Sequence, residues 1–274
     1  MNNFERIIYN LQKTMETPTP FGWFHLMWIG IIIISLVILY LLRKKHNDKQ
    51  LKTILLIYGV IALLLELTKQ VIWSFNYDPV TLIKTWDYQW YASPFQLCTM
   101  PIYISLICVF LNKNKLRDSL LSFIAFYTII GSIMTIIMPS SCFVPTILVN
   151  IHTMWLHCMS FVLSIYLLIS KEVKLNIKNL KRASYVFISC VLTALLLDII
   201  MYNTGIIGNE TFNMFFISPY FISTLPVFDV IQQSVPYIIF LLIYILLCVF
   251  GSFIVYLISK LICRIFNNKS VNNE

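Results

Sequence analysis

Residues 93–101 read SPFQLCTMP, which sets Gln96 and Cys98 between two prolines at the head of a long apolar run. His25, Glu66, Lys69, His152, His157 and Asp198 are likewise embedded in apolar runs. Together these side chains are the ingredients of covalent acyl transfer. Thiolate is the reactive form of cysteine, and a nearby histidine or lysine lowers the thiol pKa. An imidazole can accept the thiol proton and later return it to a leaving oxygen. Asp198 or Glu66 can orient that imidazole, which completes a nucleophile–base–orienter set.

Each residue also has a plainer reading. Glu66 and Lys69, three apart on a helix, can form an ion pair that lowers their own cost of burial. Asp198 can be a packing partner of a histidine or of Lys69, and His25 a hydrogen-bonded interface residue. A free cysteine is commonly inert in a core. His152 and His157 are five apart, about 140° around a helix, so they are not expected to share one role. His157, deeper in its run, is the candidate base, and His152, nearer the interface, can bind a headgroup. Three histidines with carboxylates could also hold zinc. Neither HxxxH nor HExxH occurs, however, and no metal or other cofactor is expected.

Membrane helices must position these groups. The chain is 59% hydrophobic and 12% charged, whereas a soluble domain is about a quarter charged. Apolar runs of about 20 residues, enough to cross a bilayer core of about 30 Å, recur along it. They predict an all-α, polytopic protein with seven transmembrane helices near 21–42, 53–74, 93–111, 119–138, 148–170, 183–203 and 235–259. Of the 20 Lys and Arg, 16 then fall on one side. They are Arg43, Lys44, Lys45, Lys49 and Lys52, then Lys113, Lys115 and Arg117, then Lys171, Lys174, Lys178, Lys181 and Arg182, and finally Lys260, Arg264 and Lys269. The other side holds Arg6, Lys13 and Lys84, and Lys69 lies within a span. By the positive-inside rule the N-terminus is outside and the C-terminus cytoplasmic. The net charge of +8 is thus a signal of topology, with attraction to anionic lipid second; no nucleic acid and no soluble partner is implied.

The resulting domain plan is a 1–20 interfacial segment, a 21–259 transmembrane domain and a 260–274 basic cytoplasmic tail. In the first segment Phe4, Ile7, Ile8, Leu11 and Met15 follow a helical spacing suited to the outer membrane surface. The first span is too long for a signal-peptide apolar region and lacks a small-residue cleavage site. The seven cysteines contain no CxxC, and only Cys142 falls in an outer loop, so no disulfide framework is expected. Two outer connections stand out. One carries WDYQWY, an aromatic cluster of the headgroup level. The other, 204–234, lacks Lys and Arg and is strongly apolar yet broken by prolines. It is expected to dip into the interface or to cover the bundle.

Counted along the spans, every ionisable candidate lies in the outer half of the membrane, with Gln96 and Cys98. Ionisable groups in a span are costly and mark function by default, and structural polar residues have no reason to share one leaflet.

At PFQLC the chain resembles the Pro–Leu–His–Leu–Cys signature of the YwaF-like family of bacterial integral membrane proteins. His25 before it, and GSIMTIIMP, IHTMWLH, FNMFFISP (with Asn213 in an Asn–Tyr–Met-like segment) and QQSVPYII after it, stand in the family's order. That family is similar to the eukaryotic transmembrane protein 164 group and, more distantly, to the androgen-induced-gene hydrolases. The resemblance implies seven helices in a multi-pass plasma-membrane protein. In the eukaryotic group it also implies a Cys–His acyltransferase, which passes an acyl chain from a diacyl phospholipid through the cysteine to a lyso-ether lipid. Carried over, Cys98 is the nucleophile and His157 its base. His25, Glu66, Lys69, Gln96, His152, Asp198 and Asn213 are supporting or substrate-binding, and membrane phospholipid is the substrate. Gln96 stands where the bacterial pattern has histidine. Glutamine cannot take a proton, so it can bind an acyl carbonyl there but cannot serve as the base.

Two other functions fit the same residues. A transporter or small-molecule-binding protein would use Glu66, Lys69 and Asp198 as a proton or substrate relay. A non-catalytic relative would scaffold other membrane proteins.

Overall fold

In lipid every backbone N–H and C=O must be satisfied within the protein, so long apolar runs become helices. The computed structural model describes residues 1–43 and 46–271. Its helices are α1 (Asn3–Leu11), α2 (Trp23–Leu42), α3 (Asp48–Ser74), α4 (Met100–Phe110), α5 (Lys115–Phe123), α6 (Ile129–Ile137), α7 (Ile147–Ile169), α8 (Ile177–Asn203), α9 (Phe228–Ser234) and α10 (Tyr237–Val271). A π-helical stretch, Ile124–Thr128, joins α5 to α6 in one continuous helix, Lys115–Ile137. Among the described residues six helices are long and apolar enough to cross a membrane, and the protein is a multi-pass membrane protein of the all-α class.

The third expected span differs. Only α4 is helical there, and its 11 residues reach about 17 Å at about 1.5 Å per residue. Side chains hold the preceding backbone out of the helix. Thr99 Oγ1 accepts from Gln96 N–H and donates to Pro94 O, and Tyr103 Oη donates to Pro94 O at 2.6 Å. Pro101, in the first turn of α4, is tolerated because its missing N–H would have had no helical partner. The close seating of α4 on α3 depends on Gly59, where a Cβ would come within 2.8 Å of the Leu106 side chain.

Ion pairs gather the basic connections at one end of the bundle. Arg117 reaches Asp48 at 2.7 Å and Glu172 at 3.4 Å, and Arg182 reaches Asp118 at 3.3 Å. Arg117, which reads in the sequence as a loop charge, is in fact 1% exposed. His46 is likewise not a solvated loop residue, since it bonds Tyr166 Oη at 3.0 Å and Glu172 at 3.1 Å. Lys44, Lys45 and the last three residues of the tail lie outside the described residues.

At the opposite end the 75–92 connection pairs as an antiparallel hairpin of β1 (Phe75–Tyr77) and β2 (Lys84–Trp86), which the sequence reading did not anticipate. There α1 rests Ile8 on Ile72, Phe75 and Val149, and Glu5 binds Lys84 at 2.8 Å. The 204–234 connection enters the core: Phe212, Met214, Phe215 and Ile217 are buried in the main apolar cluster. Other parts of the connection, including Ile206, Ile222, Val227 and Val230, are exposed. Phe215, Phe216 and Val227 take positive φ, a region unfavourable for bulky side chains unless the surroundings enforce it.

Candidate functional site

A buried charged network joins α3, α7 and the segment before α4. Glu66 is 1% exposed. Its Oε1 accepts from Lys69 Nζ and from Gln70 Nε2, each at 2.7 Å, and its Oε2 accepts from His152 Nε2 at 2.7 Å. The carboxylate is thus the centre of three donors. Lys69 and Gln70 also donate to Ala92 O, at 3.2 and 2.6 Å. The intrahelical Glu66–Lys69 pair is present as its spacing predicts, and its use of His152 and of a distant carbonyl extends it into a tertiary joint. An open groove of about 380 Å³ lies against the Gln70 side, lined by Gln70, Val71, Ser74, Trp86, Asp87 and Tyr88.

Cys98 sits next to this network in a turn that runs into α4. Gln96 O accepts from Thr99 N–H at 3.0 Å and from Met100 N–H at 3.3 Å. The segment is pinned by bonds to other elements: Ala92 O by Lys69 and Gln70, and Trp90 N–H by Glu210 at 2.9 Å. Cys98 is half-buried and lies within electrostatic range of Lys69 and Glu66. Among the described residues the N–H group of Leu97 has no hydrogen-bond acceptor, whereas the Cys98 N–H is turned to its own thiol. His157 is half-buried and within electrostatic range of His152. Of the two histidines, His152 is the more enclosed and is the one held by a carboxylate.

Gln96, Asp198 and Asn213 form a separate group that fastens the 204–234 connection. Gln96 donates Nε2–H to Asn213 O at 3.0 Å and accepts from Phe215 N–H at 2.7 Å. Asp198 Oδ1 accepts from Met214 N–H at 2.8 Å. Three consecutive residues, two of them in the left-handed bend or beside it, are thus gripped by two side chains from elsewhere. Asp198 therefore has a loop N–H as its partner, rather than the histidine or Lys69 expected from the sequence. Asn213 Oδ1 accepts from Ser218 N–H at 2.8 Å, which closes the bend.

His25 stands apart. Phe21 N–H donates to its Nδ1 at 2.9 Å, so Nε2 carries the proton and donates to Ile136 O at 2.9 Å. Both nitrogens are spent on backbone, and the ring pins the entry of α2 to the end of α6. Among the described residues no three His, Cys, Asp or Glu side chains are grouped to hold a metal ion.

Residues 20–256 match the model of the TMEM164 family. The chain belongs to that family. No curated protein and no solved structure matches it. The stretch shared with the TMEM164 family takes in the Glu66 network, Cys98 and the 213–215 clamp, whereas α1 lies outside it.

Within this TMEM164-family chain, two positioning residues escaped the sequence reading. Gln70 is one turn beyond Glu66 on the same helix, and uncharged polar residues in that span would have revealed it. Gln232 holds Ser218 O, Phe221 O and Ser223 N–H through its amide; no local pattern points to those partners.

Proposed function

We propose that the protein is a lipid-modifying membrane enzyme that transfers acyl groups through a thioester at Cys98, with His157 as the base for the thiol and membrane phospholipid as substrate. The setting of Cys98 carries this reading: a half-buried thiol in the turn before α4, beside a charged network, with the adjacent Leu97 N–H unclaimed. Such an N–H group is suited to hold the negative oxygen of a tetrahedral intermediate. His157 takes the thiol proton as sulfur attacks the ester carbonyl, then returns it to the departing lysophospholipid oxygen. An acceptor hydroxyl or water then releases the acyl group from sulfur. The acyl relay of the transmembrane protein 164 group, noted above as a resemblance, supports the same chemistry.

In this reading the six long helices and the 93–111 segment make seven passes, with the N-terminus outside and the C-terminus cytoplasmic. The gathering of the basic connections at one end supports that topology. Residues 1–20 rest on the outer surface of the plasma membrane, 21–259 form the transmembrane domain and 260–274 the cytoplasmic tail. Gln96 serves as a loop fastener, so the missing histidine at that position does not remove the base. A relay through Glu66, Lys69 and Asp198 has less support, because the first two pair with each other and Asp198 binds neither of them, its Oδ1 being held by the Met214 amide.

Purified protein incubated with a diacyl phospholipid is expected to yield an acyl adduct on the Cys98 peptide by mass spectrometry. Unchanged lipid turnover in Cys98→Ala would overturn the reading.

A further inference from the structure

The Glu66 network contains one atom that the chain leaves unsatisfied. His152 Nε2 faces a carboxylate, which only accepts, so Nε2 carries a proton, and whenever the ring is neutral its Nδ1 is a bare acceptor. That Nδ1 is buried and has no partner among the described residues, in a side chain 5% exposed overall. A dry, unmet acceptor is costly and marks a place for a donor that the chain does not supply. The opposite edge of the ring is fixed by Glu66, itself fixed by Lys69 and Gln70. His157 has no such support: no carboxylate or other hydrogen-bond partner holds it among the described residues.

The two histidines therefore differ as bases, and acyl transfer has two different protons to move. A thiol ionises near pKa 8.5, roughly, and needs only an unassisted imidazole. An alcohol or water is far less acidic, with water at about 15.7. It gives up its proton only as the attack proceeds, to a base whose charged form is stabilised at that moment, which is what a carboxylate behind a histidine provides.

We propose that His152 is the general base for the hydroxyl of the acyl acceptor, while His157 serves the thiol. The assignment rests on the Cys98 acyl-transfer reading. In the second half-reaction, Nδ1 takes the hydroxyl proton as the acceptor oxygen bonds to the thioester carbonyl carbon. The tetrahedral intermediate collapses, the carbon–sulfur bond breaks, and the proton passes from Nδ1 to the Cys98 sulfur. The products are the new ester, a neutral His152 and a free thiol. Glu66 stays ionised throughout; Lys69 and Gln70 are positioning residues that act through it.

The test separates the half-reactions in the full-length protein. Acyl-Cys98 is formed from a diacyl phospholipid and quantified by mass spectrometry, then chased with a lysophospholipid or with neutral hydroxylamine, which cleaves thioesters without a base. His152→Gln is expected to acylate within about threefold of wild type yet to transfer to the lysophospholipid about 100-fold more slowly, the usual scale for a lost general base. Acyl-Cys98 then accumulates, and hydroxylamine clears it at the wild-type rate. Equal loss of both half-reactions, or wild-type transfer, overturns the assignment. If His152→Gln does not fold, Glu66→Gln, which removes the charge but keeps an acceptor for Nε2–H, is expected to show the same selective loss, and an even loss again overturns it. Wild-type protein that never acylates at Cys98 sinks the acyl-transfer reading and this assignment with it. Acylation in the wild type with even losses in both variants sinks this assignment alone.

Discussion

Glu66 on α3 and His152 on α7 are joined by a 2.7 Å hydrogen bond between two buried side chains 86 residues apart in sequence. The bond ties two long helices together beside Cys98 and fixes which imidazole nitrogen carries a proton.

Removing the centre of that network leaves His152 Nε2–H without its acceptor and Lys69 without its counter-charge, with only Ala92 O left to Lys69 and Gln70. Glu66→Ala is expected to lower stability by about 3–5 kcal/mol, the scale for stranding one partner of a buried charge pair. The double variant Glu66→Gln, Lys69→Met is expected to lose less than Glu66→Ala, since no charge is then stranded. Thermal unfolding in detergent ranks the two; a double variant as unstable as Glu66→Ala would contradict the pairing.

Gln96 holds a carbonyl and an amide of the same bend. Gln96→Ala leaves both unmet and is expected to cost about 1–3 kcal/mol. Gln96→Glu keeps the acceptor for Phe215 N–H but sets a carboxylate against Asn213 O, and is expected to be the worse of the two. Both variants should speed protease cleavage within 205–234 while leaving cleavage near residues 111–114 at the wild-type rate.

At the other end Arg117 is buried but its partner Asp48 is 41% exposed. Arg117→Met is expected to cost about 3 kcal/mol, because Glu172 and His46 lose the cation that organises them. Asp48→Asn is expected to cost about 1 kcal/mol or less, since water screens the pair on that side. Chemical denaturation of the two variants measures the difference.

Acid is expected to release α1 from the hairpin. The Lys84 ammonium, hydrogen-bonded to Glu5, and the Asn2 amide hold the Glu5 carboxyl below its ordinary value of 4.5. A depressed carboxyl contributes stability above its unfolded pKa and loses it as pH falls through the folded one. Amide exchange over Asn3–Leu11 should therefore quicken, after correction for intrinsic rates, as pH drops below 4.5. Glu5→Gln should abolish that pH dependence, and a wild-type protein without it would show that the pair does not hold the helix.

The sequence by itself determined the helical class, most of the spans and the residues worth suspecting, because hydropathy and helical spacing are sums over neighbours. The i,i+3 pairing of Glu66 with Lys69 belongs here: both residues lie on one helix face, and the structure joins them at 2.7 Å. Tertiary structure decided the partners. Nothing local directs Gln96 to a bend 119 residues away, or Asp198 to the Met214 amide rather than to a histidine. The shortened third span follows from the same cause. The run at 93–111 is greasy enough to be a helix throughout, but bonds from Thr99, Tyr103, Lys69 and Gln70 outcompete helical ones before Met100. Burial of an apolar residue is satisfied by any apolar neighbour, whereas a buried donor needs one acceptor in one direction, and only the packed bundle supplies the direction.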